Sequence, residues 1–173
     1  MKTFEAEYRS LFQRFFNIIN VIYLEYFILF ASCIFILKPA KPYLIIFGIL
    51  LFIIFIVLVI NNNKTNIHRI TFHENTIELQ GVTFNEEWKK SISIKGTKIF
   101  LKSKSSKHGI CGATFYIQLK NTNKKFSLNR FQTFSDQEII EIFNEFKNRK
   151  EEKIIIDEKL IVNRIQEKIE KCQ

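Results

Sequence analysis

The chain reads FNIINVIYLEYFILFASCIFIL over 16–37, KPAK over 38–41 and PYLIIFGILLFIIFIVLVI over 42–60, and this stretch decides how the rest is read. A helix rises about 1.5 Å per residue, so each apolar run is long enough to cross a hydrocarbon core about 30 Å thick, the second with little to spare. The second run has no charged residue, and Gly48 is its one small interruption. A helix that is apolar on every face is buried on all sides by lipid or protein. The sequence therefore predicts a two-helix transmembrane hairpin over 16–37 and 42–60, with Lys38, Pro39, Ala40 and Lys41 as its turn. Although 47% of the 173 residues are hydrophobic, they are concentrated in this first third rather than spread as in a single core.

So short a turn makes the helices antiparallel and puts both termini on one side. That side carries Lys2, Arg9, Arg14, Lys64 and Arg69 near the spans, against Lys38 and Lys41 in the turn, which favours a cytoplasmic placement of the segment after the hairpin. The first run begins too far into the chain and runs too long for a cleaved leader, and no Ala-x-Ala-like exit follows it. Cys33, Cys111 and Cys172 are too few and too scattered for a disulfide framework, and they suit a reducing compartment.

Ahead of the hairpin, Phe4, Tyr8, Leu11, Phe12 and Phe15 recur at helical spacing. Residues 1–15 thus form an amphipathic segment, either a lead-in helix at the interface or an extension of the first span. After Asn61, Asn62 and Asn63 the period changes to two and β-branched residues become frequent. Strands are expected over 67–73 and 76–80, flanking Glu74 and Asn75; over 82–94, with Trp88, Ile92 and Ile94; over 97–103, after Lys95 and Gly96; over 110–119; and over 125–129, after Asn121, Thr122 and Asn123. About six or seven strands in roughly 65 residues is the density of a small antiparallel sandwich or barrel.

Ser135 stands at an N-cap with Glu138 three residues on, before Ile139, Ile140, Ile142, Phe143 and Phe146 at helical spacing, so a helix closes the strand-rich module. A second amphipathic stretch, with Leu160, Ile161, Ile165 and Ile169, could dock on the module, bind a partner or pair as a short coiled coil. The expected fold class is an α+β membrane protein: a two-helix transmembrane hairpin plus a small antiparallel β-sandwich or barrel capped by a C-terminal helix. Its parts are an N-terminal segment over 1–15, the hairpin over 16–60, the module over 66–150 and a charged helical tail over 151–173.

The run from Ile70 through Thr71, Phe72, His73, Glu74, Asn75 and Thr76 to Ile77 has the form of an opening hairpin. With Trp88 followed by Ile92 and Ile94, and with Leu128, Asn129, Arg130 and Phe131 leading through Phe134 and Ser135 into a helix, the pattern over 67–150 resembles bacterial pleckstrin-homology-like domains of the YcxB-like type. Asn129 and Arg130 stand where a Pro-Lys pair is expected at that junction. The resemblance implies a bent antiparallel sandwich closed by a helix; the hairpin and its flanking charges give the expected placement, an integral protein of the bacterial inner membrane with the module in the cytoplasm. It implies no settled activity, because this fold serves lipid binders, peptide binders and scaffolds.

From Trp88 to Ser135 there are eleven Lys or Arg residues and no Asp or Glu. Beside an anionic leaflet such a stretch is attracted by about 1 kcal/mol per basic residue at the surface. The segment carrying Lys102, Lys104 and Lys107 is the candidate anionic-surface site, and plain solubility of a lysine-rich chain is the alternative. Glu25, inside the first span, is a candidate intramembrane contact, or a carboxylate close enough to the interface to reach it. Trp88 reads as a core anchor.

His68, His73, His108 and Cys111 do not assemble into a zinc set, and Cys111 lacks the flanks of a nucleophile. There is no P-loop, GxGxxG or GxSxG, so no catalytic residue, cofactor or metal is expected. Nucleic acid is a poor fit without a recognition helix or an aromatic single-strand motif. The expected function is that of a non-enzymatic, membrane-anchored module presenting a basic surface to anionic lipid headgroups or to an acidic protein. The alternative is a structural or regulatory subunit of a membrane complex, including a toxin-neutralising membrane protein.

Overall fold

The computed structural model describes residues 1–16, 24–26, 28–29, 32, 42–106, 109–122, 124–129 and 132–172. In chain order the elements are β1 (Lys2–Glu5), α1 (Leu11–Phe15), α2 (Pro42–Asn63), β2 (Thr65–Phe72), β3 (Thr76–Thr83), β4 (Glu86–Ser93), β5 (Lys98–Ser106), β6 (Gly109–Asn121), β7 (Lys124–Leu128), α3 (Asp136–Lys150) and α4 (Ile156–Cys172). Residues 1–8 with 66–173 make one compact unit and residues 9–65 another.

In the first unit the strands make two sheets, ordered β1-β2-β3-β4 and β5-β6-β7. Alternation builds both. On β3 and β4 the paired residues Ile77 and Ile92 face inward, and on β5 and β6 Ile99 pairs with Leu119 and Leu101 with Ile117. These side chains, with Phe115, Phe126 and Leu128, meet Ile139, Phe143 and Phe146 of α3 and Ile165 of α4 in one core. Fully burying each large apolar side chain contributes about 1.5–3 kcal/mol, so the helices and sheets stabilise one another.

α3 begins as its sequence dictates. The Ser135 hydroxyl accepts the Glu138 N–H while the Glu138 carboxylate accepts the Ser135 N–H, and Asp136 and Glu138 sit where the helix dipole favours negative charge. The helix stops at Glu151, which takes a left-handed φ of 56° and turns its N–H onto the Asn148 and Lys147 carbonyls. α3 and α4 pack on each other and on β5 and β6. Asn129 makes the crossing from β7 toward α3: its φ is 64°, its Nδ2 donates to the Phe115 carbonyl at 2.9 Å and its Oδ1 accepts the Phe134 N–H at 2.9 Å.

Three expectations are corrected here. First, Lys2–Glu5 is a strand, not part of an amphipathic helix: Phe4 pairs with Ile70 and its ring meets Phe72 edge-on at 6.1 Å. The apolar spacing at Phe4 and Tyr8 serves a sheet partner some 65 residues away, which overrides the helical period. Second, Cys111 and Cys172 form a disulfide with Cα atoms 5.6 Å apart, an ordinary span for such a bridge. The two cysteines, 61 residues apart, meet because α4 folds back along β6.

Third, the transmembrane hairpin is not found. In the second unit α1 carries a Ser10/Gln13 capping box and packs on α2, where the Arg14 guanidinium donates to the Asn63 carbonyl at 2.7 Å. Most of the first apolar run, including 17–23 and 33–37, lies outside the described residues. Among the described residues no helix is long and apolar enough to cross a membrane. The class is therefore α+β with two antiparallel sheets, and the expected integral membrane protein of the bacterial inner membrane, with its module in the cytoplasm, is corrected with the hairpin.

Candidate functional site

On β5, β6 and β7 the residues between the core positions point away from the core. They are Lys98, Phe100, Lys102 and Lys104 on β5, Tyr116, Gln118 and Lys120 on β6, and Lys125 and Ser127 on β7. Register sets Lys98 opposite Lys120 and Lys120 opposite Lys125, so three ammonium groups cross the sheet in one row. Neighbouring strands lie about 4.8 Å apart, and like charges directly opposite each other destabilise a sheet. Stability alone gives no reason for such a row.

Among the described residues no carboxylate comes within 4.0 Å of these lysines, whereas Lys89 pairs with Glu78, Lys147 with Glu158, Lys150 with Glu152 and Lys168 with Asp136. Glu78, Glu158, Glu152 and Asp136 are held by those other lysines, and the open face of the three-stranded sheet is left positive. Lys102 and Lys104 lie along this face, opposite Tyr116 and Thr114. Lys107 lies outside the described residues, and Glu25 is helical and exposed in the other unit. The cluster of Lys98, Lys120 and Lys125 is absent from the candidates named on sequence. The signal for it is the short connection from Asn121 to Lys124, which fixes the register that aligns the three.

Where the two sheets end, β4 and β7 face a cleft of about 400 Å³ lined by Lys90, Ser91, Ile92, Asn121, Thr122, Lys124 and Phe126. The Lys90 ammonium lies 5.0 Å from the Trp88 ring centroid and 5.8 Å from that of Phe126, and the two rings are 6.2 Å apart. Trp88 packs against the core and crosses to Gly81, its register partner on β3. A Cβ at Gly81 would stand 2.6 Å from Trp88 Cζ2 and 2.5 Å from the Asn66 carbonyl oxygen, so the close approach requires glycine. Among the described residues the buried Trp88 Nε1 hydrogen has no partner.

The outer face of the four-stranded sheet is different in kind. Glu5, Arg69, Gln80, Glu78 and Lys89 make a mixed-charge network there, in which Arg69 donates to Glu5 and Gln80. The hydrogen bond from Lys89 holds the Glu78 carboxyl below the usual carboxylate range, and the Gln80 amide adds to it.

Among the described residues no group of three or more His, Cys, Asp or Glu side chains is placed to hold a metal. Cys111 is bonded to Cys172 and offers no free thiol. No family model matches the chain, and no curated protein or solved structure matches it.

Proposed function

We propose that the chain is a non-enzymatic binding module, of the pleckstrin-homology-like kind its strand pattern resembles, that offers the open face of β5-β6-β7 to clustered negative charge on lipid headgroups or an acidic protein. The observation that carries this is the row of Lys98, Lys120 and Lys125, without a carboxylate partner among the described residues and continued along β5 by Lys102 and Lys104. An anionic partner removes the repulsion within the row, and each ammonium that reaches an anionic surface adds about 1 kcal/mol. The flatness of a sheet face suits an extended or planar partner better than a small enclosed one.

The test is binding of the full chain to vesicles of phosphatidylcholine with and without phosphatidylserine, and to polyglutamate, at low and moderate salt. Binding to an anionic probe should weaken as salt rises, and the triple variant K98Q/K120Q/K125Q should bind about tenfold more weakly with a flatter salt dependence. Equal binding by the triple variant, or no salt-sensitive binding to either probe, overturns the reading.

A second reading, a structural or regulatory subunit of a protein complex, is favoured by one observation. α2 exposes Ile46, Phe47, Ile49, Leu50, Ile53 and Ile54, an apolar surface of the sort that partner contacts cover.

A further inference from the structure

The cleft between β4 and β7 combines free strand edges with selective charge. β4 ends its sheet and β7 ends the other, so each has one rim of backbone N–H and C=O groups outside the ladders. All eight residues of β4 pair with β3 on one side, it contains no proline, and its Lys90, Ser91 and Ile92 line the cleft. Ile92 and Phe126 supply apolar floor, Ser91, Asn121 and Thr122 supply hydrogen-bonding groups, and Lys90 and Lys124 supply charge. Among the described residues neither lysine has a carboxylate within 4.0 Å, and Glu86 and Glu87 stand at the far end of β4, outside the cleft.

We propose that this cleft takes an extended acidic segment of a partner protein, which adds to the free rim of β4 as a further strand. Main-chain hydrogen bonds would give such a segment its affinity, and the alternating side chains its specificity. Lys90 and Lys124 decide which segment enters. A lysine on an edge keeps neutral and basic strands from adding, but it pairs with Glu or Asp on an incoming one, so the same two groups repel the wrong partner and hold the right one. The inference rests on the anion-binding reading above and names a protein partner, separate from the outward face of the second sheet, as its occupant.

The probe is a fluorescein-labelled peptide of alternating Glu and Val, matching the eight residues of β4, titrated with the full chain and followed by anisotropy. Saturable binding is expected and, in the K98Q/K120Q/K125Q background where the outward face no longer competes for the peptide, it is weakened at least about tenfold by K90Q/K124Q and by N-methylation of alternate peptide nitrogens. Circular dichroism of each variant checks that these exposed substitutions leave the fold intact. Equal binding by K90Q/K124Q, or by the N-methylated peptide, overturns strand addition while leaving the outward face as an anion site. Binding to phosphatidylserine vesicles or inorganic phosphate but not to the peptide overturns the protein partner. If no anionic probe binds, the inference falls together with the reading it rests on.

Discussion

Asn129 shows how one side chain can hold a chain crossing. It occupies the left-handed region, which costs most residues about 1–2 kcal/mol but suits Asn, and its amide bridges the Phe115 carbonyl on β6 and the Phe134 N–H before α3. Both bonds are buried, so truncation leaves a carbonyl and an N–H without partners rather than returning them to water. Asn129→Ala should lower unfolding free energy by about 2–3 kcal/mol in urea denaturation, and a loss under about 0.5 kcal/mol would show that the bridge is incidental. The junction itself is visible in the sequence, where the strand pattern ends near Asn129 ahead of the Ser135 N-cap. Its purpose is not, because both partners of the amide are backbone groups that any sequence would supply.

At the scale of elements, what could be read locally is present locally. The Ser135–Glu138 box starts α3, Glu74 and Asn75 lie in the β2–β3 turn, and the short connection from Asn121 to Lys124 joins β6 to β7. The sequence pattern predicts a break in the strands near Gly81, yet β3 runs on to Thr83 and Phe84 turns the chain with a φ of 56°. Glycine there serves the approach of Trp88 and not a turn. Pairings between distant segments leave no such local mark, which is why β1 and the Cys111–Cys172 bridge are structural findings. The bridge fixes the last residues of α4, whose hold on the body is otherwise Ile165, the partly buried Ile161, Val162 and Ile169, and the ion pairs of Glu158 and Lys168. Closing a loop of 61 residues removes chain entropy from the unfolded state worth about 4 kcal/mol in the loop-closure account. With a thiol reductant, or in Cys172→Ser, hydrogen exchange over 156–172 should quicken while α3 stays protected. Unchanged exchange in α4 would mean that its apolar stripe suffices.

Over the whole molecule the formal net charge is +9, and its placement matters more than its sum. The acid-free stretch from Trp88 to Ser135 is plain in the sequence, but which of its lysines converge depends on strand register, and register depends on where turns fall. In the sequence Lys102, Lys104 and Lys107 draw the eye as a run, whereas the row across three strands is scattered over 98–125. Lys120 is the middle of that row and feels both neighbours, so it carries the largest share of the repulsion. Lys120→Gln should therefore raise the stability of the free protein by about 0.2–1 kcal/mol, with the gain shrinking as salt screens the row, and should at the same time weaken anion binding. The opposite signs separate a binding surface from a merely soluble one. A lysine kept only for solubility would leave anion binding unchanged when replaced, and one that supports the fold would lower the melting temperature instead of raising it.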